Sequence, residues 1–157
     1  MIKNNQFSIK NLKNIVFLGE DKCLKDFIEF NETLGIRSEI ITSPHQAKNI
    51  DKSLSFKKFS KLDKKFQSYI RSNFKIDETL FVSVASRWIF KEELINKFFK
   101  KNLINFHGAR LPFDSGGGGF SWNIMRNDRI CVQLAHLITK EIDKGPILSY
   151  EKFLYPY

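Results

Sequence analysis

The run Asn14-Ile-Val-Phe-Leu-Gly-Glu-Asp-Lys-Cys-Leu-Lys-Asp-Phe-Ile-Glu-Phe-Asn-Glu-Thr-Leu-Gly-Ile-Arg-Ser-Glu-Ile-Ile-Thr42 decides the fold class. Its first part, Asn14 to Leu18, is a short apolar run stopped by Gly19, the pattern of a strand buried on both faces. Lys22 to Leu34 then places Leu24, Phe27, Ile28 and Leu34 at helical spacing, and Gly35 follows as a C-cap. Arg37 to Thr42 returns to a strand pattern and is stopped by Ser43-Pro44. Strand, helix and strand in this order make a βαβ unit. Only Gly19 follows the first strand, so the G-x-G-x-x-G fingerprint of a dinucleotide site is missing.

Outward from this unit the alternation continues. Phe56, Phe59, Leu62 and Phe66 lie three or four apart, which predicts an amphipathic helix with lysines on its wet face. Thr79 to Ala85 reads as a central strand, and Lys91 to Phe99 as a helix with Leu94, Ile95, Phe98 and Phe99 on one side. Leu103 to Phe106 is the next strand. Phe120 to Arg126 reads as a helix, with Ile130 to Ile138 and Ile147 to Phe153 as the last strands. The expected fold is a Rossmann-like α/β domain occupying residues 1–157, with a mostly parallel sheet and helices on both faces. Ligands of such sheets bind beyond the carboxyl ends of the strands.

The bulk numbers agree with a folded domain: 157 residues, 42% of them hydrophobic, with sixteen Phe to fill a core. No apolar run approaches the roughly 20 residues that span a bilayer. Met1 to Lys13 lacks the apolar stretch of a signal peptide, so a cytoplasmic location is expected. The two cysteines, Cys23 and Cys131, make no disulfide framework and read as buried free thiols. The net charge of +9, densest between Lys48 and Lys75, favours anionic partners: nucleic acid, a phosphorylated metabolite or a polyanionic cofactor.

The candidate chemistry lies in Ile104 to Trp122, where the run Gly116 to Gly119 alone holds four of the chain's eight glycines. Asn105 and His107 are two apart on a strand and so face one small volume. His107 can take or give a proton near neutrality, and the Asn105 amide can donate to an oxygen gaining negative charge. Asp143 could orient the imidazole or hold a water. Together these suit acyl transfer through a tetrahedral intermediate, with direct attack by an amine, since no Ser or Cys in this pattern is placed as a nucleophile. The glycine run lacks the G-K-[ST] ending of a P-loop. The three histidines, His45, His107 and His136, are far apart along the chain, so no metal site is expected. His136, in an apolar strand, reads as a satisfied core residue.

Taken together these residues resemble the formyltransferases that use 10-formyltetrahydrofolate. Asn105-Phe106-His107 matches their N-x-H, Leu111-Pro112 the end of S-L-L-P, and Asp143-Lys144-Gly145 their D-x-G. The resemblance implies a catalytic trio of Asn105, His107 and Asp143, with 10-formyltetrahydrofolate as formyl donor. It implies a folate pocket formed by Trp88, Ile89 and Phe90 together with Ile138 and the loop that runs to Asp143. Gly116, Gly117 and Trp122 would contact the acceptor. Ala109, Arg110, Ser115 and Gly119 depart from the family pattern and alter the loop expected to shape the acceptor pocket. The chain ends at Tyr157, earlier than family members usually do. A truncated or minimal form is expected to expose Ile147, Leu148 and Phe153 and to invite self-association, such as a homodimer.

By elimination the acceptor favoured is a nucleotide-linked amino sugar, as in sugar N-formyltransferases, over a purine-pathway ribonucleotide or methionyl-tRNA. Membrane partners are not expected. A basic nucleic-acid-binding module, or a remnant serving as an interaction surface, are the readings from other classes.

Overall fold

The computed structural model describes residues 7–116 and 118–155. A seven-stranded sheet runs in the order β3-β2-β1-β4-β5-β6-β7. Its strands are β1 Asn14–Gly19, β2 Arg37–Thr42, β3 Lys57–Lys58, β4 Thr79–Val84, β5 Leu103–His107, β6 Ile130–Leu137 and β7 Ile147–Leu154. Strands β1 to β5 pair in parallel; β6 and β7 pair antiparallel. The helices are α1 Leu24–Thr33, α2 Lys64–Asn73 and α3 Gly119–Met125, with a π-helical turn at Leu94–Phe98.

Alternate side chains of the parallel strands build two cores. Val16, Leu18, Phe81 and Leu103 pack with Phe66 and Ile70 of α2 and with Ile95, Phe98 and Phe99 of the π turn. Ile15, Phe17, Val82 and Ile104 pack on the other face with Leu24, Phe27 and Ile28 of α1. Helices therefore cover both faces, and the central strands β1 and β4 are largely apolar because both of their faces are dry. Aromatic edges fill the first core, with the Phe81 and Phe99 ring centroids 4.8 Å apart. Gly19 ends β1 because nothing larger fits: a Cβ there would lie 2.0 Å from the Val84 carbonyl oxygen.

Two expectations change. The helix expected from Phe56 onward begins at Lys64 instead. Lys57 and Lys58 extend the sheet beside Ile41 and Thr42, and the Phe59 amide donates to the Thr42 carbonyl. The Phe56, Phe59, Leu62 spacing imitates a helix, but Asp63 fixes the start: its carboxylate accepts from the Lys65 and Phe66 amides at 3.0 and 3.2 Å. Cys23 is exposed at the entry to α1, not buried; Cys131 on β6 is buried.

The sheet's two ends differ. The lysine-rich stretch surrounds β3 and α2, at the opposite edge from β7. On β7, Ile147 and Phe153 are exposed, while Leu148 packs against the α1-side core. No helix among the described residues is long and apolar enough to cross a membrane.

Candidate active site

Strand β5 lies between a parallel and an antiparallel neighbour. Asn105 pairs with Ser83 of β4 on one side and His136 of β6 on the other. Paired residues share a face, and so do residues two apart. Asn105, His107 and His136 therefore project together on the face that carries α2, while Phe106 and Ala135 project on the α1 face.

His136 is satisfied and buried, as its apolar strand suggested, at 2% exposure. It is also part of the site, which sequence reasoning missed. Its Nδ1 lies 3.0 Å from the Leu137 carbonyl oxygen and its Nε2 lies 3.2 Å from Asn105 Nδ2. A carbonyl only accepts, so Nδ1 carries the proton and Nε2 accepts from the Asn105 amide. Burial pushes the His136 pKa down and keeps the ring neutral. The imidazole thus orients the Asn105 amide and leaves its other N–H for a ligand. The one signal in sequence was a histidine facing Asn105 across a strand pair, and it needs the register to be read.

Asp143 reaches the same volume from the loop between β6 and β7. It holds a left-handed backbone, φ 54°, a conformation that Asp tolerates better than most residues. Its Oδ2 accepts from the Gly116 amide at 2.8 Å. The two carboxylate oxygens lie 3.7 Å from His107 Nε2 and from His136 Nε2, within ion-pair reach but beyond hydrogen bonding. His107 Nε2 is buried and has no hydrogen-bond partner among the described residues. Gly145 allows the loop to close: a Cβ there would lie 1.6 Å from the Leu137 carbonyl oxygen, the acceptor that fixes the His136 tautomer.

The donor atoms of His107, His136 and Asp143 all lie within 4.8 Å of one another. Histidine spacing along the chain does not reveal this grouping. The free donor capacity is divided, because Asn105 occupies His136 Nε2 and Gly116 occupies one Asp143 oxygen.

Two cavities meet at this cluster. The smaller, about 240 Å³, is lined by Asn105, His136 and Asp143 and by Trp88, Ile89 and Phe90. Ile138 and the loop onward to Ile142 close it, with Arg87 and Lys140 at its wall. The four residues Trp88, Ile89, Phe90 and Ile138, singled out from sequence, thus share one cavity with the trio's Asn105 and Asp143. The Trp88 indole N–H is buried there without a partner among the described residues. The larger cavity, about 840 Å³, has His107 and Gly108 at its end and is walled by α1, β6 and β7.

The loop after β5 is held by charge. Asp114 accepts from Arg110 Nε at 3.1 Å and from Arg126 Nη2 at 2.7 Å, and Arg110 also pairs with Asp128 at 2.6 Å. These contacts, that of Arg126 first, hold the Asp114 carboxyl below its usual range. The departure at Arg110 thus carries a structural partner set of its own. Gly116 contacts Asp143 and so sits at the site. Gly117 lies outside the described residues. Trp122 is 56% exposed on α3 and lines neither cavity; its indole lies beside Gly118 of the glycine run.

No protein-family model and no curated protein matches the sequence. Solved structures do. A formyltetrahydrofolate deformylase from Pseudomonas syringae pv. tomato superposes with a TM-score of 0.72 at 16% identity, over 93% of this chain and 52% of that one. This chain therefore spans about half the length of that protein. A phosphoribosylglycinamide formyltransferase from Anaplasma phagocytophilum gives 0.73 at 18% identity, over 94% and 74%. A glycinamide ribonucleotide transformylase from Geobacillus kaustophilus gives 0.68 at 14% identity, over 93% and 85%. The chain has the fold of these enzymes.

Proposed function

We propose that this chain transfers a formyl group from 10-formyltetrahydrofolate to a primary amine. The observation that carries the reading is the convergence of Asn105, His107 and Asp143 where two cavities meet. The fold shared with folate enzymes supports it.

In this reading the folate occupies the smaller cavity. Its pterin lies against Trp88, Ile89, Phe90 and Ile138, where the unpartnered indole N–H offers a hydrogen bond. Arg87 and Lys140 suit the anionic glutamate tail. The amine enters from the larger cavity past His107. Its lone pair attacks the formyl carbon, and the carbonyl π pair moves onto oxygen. The free N–H of Asn105 and protonated His107 Nε2 stabilise that oxyanion. Asp143, held by the Gly116 amide, receives the proton that the amine sheds, through water. Collapse expels the folate N10, which takes up a proton, and leaves the formamide. Neutral His136 keeps the Asn105 amide aimed throughout.

The acceptor that the sequence favours is a nucleotide-linked amino sugar. Its support is elimination and the aromatic residues of the loop, and it is weakened because Trp122 lines neither cavity. The lysine-rich stretch, which suits a nucleic acid, lies at the far edge of the sheet and takes no part in this site.

The test is optical turnover of 10-formyltetrahydrofolate against a panel of primary amines, with His107→Ala and Asn105→Ala beside the parent. Amine-dependent turnover lost in both variants is expected. Turnover without amine would make water the acceptor. Neither turnover nor calorimetric folate binding by a folded sample would remove the reading.

A further inference from the structure

The larger cavity carries a charge opposite to that of the chain around it. The net charge is +9, yet the cavity's charged lining consists of Asp21 and Glu151, with His107 as its single basic group. Among the described residues no Lys or Arg lines it. The rest of the wall is apolar or neutral, including Phe27 of α1, Phe106 of β5 and Tyr150 of β7. Lys152 stands over the Tyr150 ring at 5.6 Å and is not part of the lining.

The sheet register explains the arrangement. Phe106 pairs with Ala135, Ala135 with Ser149, and Gln133 with Glu151. These side chains share the α1 face, so the Glu151 carboxylate stands on the same face of the sheet as Phe27 and Phe106. At the other wall, the Asp21 carboxylate accepts from the Cys23 amide at 2.8 Å, just before α1 begins. The positive end of α1 is thereby already met by a carboxylate, with Asp26 in its first turn. A second effect reports the same field: Asp21, by hydrogen bond and by charge, pushes the Cys23 thiol above its ordinary value, and Asp26 adds to it.

We infer that the acceptor is an amine on an uncharged or cationic body with apolar or aromatic surface, and that this cavity rejects phosphate-bearing amines. The inference rests on the formyl-transfer reading and deepens it, and it sets aside the nucleotide-linked amino sugar, whose phosphates this lining would repel. A phosphate would face two carboxylates and a helix end already occupied by one. A cation would be drawn to both, and its flat or apolar body would cover Phe27 and Phe106. The two sides of the site differ in their cations: Arg87 and Lys140 line the smaller cavity beside Glu141 and Asp143, whereas the described lining of the larger one sets Asp21 and Glu151 against no Lys or Arg.

Matched pairs test this: tyramine against O-phosphotyramine, and glucosamine against glucosamine 6-phosphate, with putrescine as a dication. Formyl transfer is followed optically, and binding of each amine is followed separately by ligand-observed NMR. The unphosphorylated partner is expected to show kcat/KM higher by about tenfold or more, the size of one well-placed charge effect. The KM for putrescine is expected to rise with salt. In Asp21→Asn/Glu151→Gln the phosphate penalty shrinks toward parity, and Asp21→Lys reverses its sign. Preference for the phosphorylated partner, a penalty unchanged in the variants, or no amine binding at all would overturn the inference. Absence of folate binding with carboxylate-dependent amine binding would sink the formyl-transfer reading alone and leave the cavity's preference standing.

Discussion

The two cavities at the end of β5 are built from the same strand but from opposite faces. On the α2 face the cavity is small, closed by the loops after β4 and β6, and lined by Asn105, His136 and Asp143. On the α1 face it is more than three times larger in volume, 840 against 240 Å³, and open along β6 and β7. The strand's period of two explains how both exist: Asn105 and His107 face one way and Phe106 the other. The difference teaches where selectivity resides. The smaller site is over-determined by hydrogen bonds and by one glycine, and suits one fixed ligand. The larger is shaped by charge and apolar surface, and suits a class of ligands.

The largest effect is expected at His107, which lines the larger cavity and lies 3.7 Å from Asp143 of the smaller one. His107→Ala should lower kcat by about 10²- to 10⁴-fold, the usual share of a proton-transferring group. Folate affinity by calorimetry should stay near that of the parent, because His107 lines the larger cavity and not the smaller one proposed for folate. A parallel loss of folate binding would mean that the cavities are not separable.

Next comes the glycine that closes the smaller side. Gly145→Ala should destabilise the protein by roughly 2–3 kcal/mol, because its Cβ meets backbone 1.6 Å away. Thermal unfolding reads the stability. If the two sides are independent, folate affinity falls while amine binding measured by NMR holds.

A smaller effect concerns pH. The His136 pKa is depressed below its ordinary 6.5 by burial. The unfolded chain then binds a proton before the folded one does, so stability is full above that value and declines as pH falls toward the folded pKa. The Tm of the parent should drop over this window, and His136→Gln should remove that part of the drop. An unchanged pH dependence in the variant would show that His136 is not the group responsible.

The smallest effect is at Trp88. Trp88→Phe removes a buried N–H that has no partner. Stability should hold or rise slightly, while folate affinity falls several-fold. Lower stability with unchanged folate affinity would instead assign Trp88 to packing.

The sequence by itself determined most elements. β1, α1 and β2 were legible because their apolar spacing switches period at glycine, and β4 to β7 because each is a short apolar run between turn residues. It also placed Asn105 and His107 on one face, since that follows from a spacing of two. It misplaced the start of α2, because Phe56, Phe59 and Leu62 carry a helical spacing that the edge strand β3 overrides and only the Asp63 cap corrects. Three things belonged to the tertiary structure alone. The antiparallel pairing of β6 sets His136 opposite Asn105, a contact that no spacing along the chain encodes. Trp122, expected to contact the acceptor, is more than half exposed on α3 and lines neither cavity. Asp21 and Glu151, near opposite ends of the chain, line one cavity of a basic protein. Local period sets which residues share a face. Which faces meet, and what charge gathers between them, is decided when the strands find their partners.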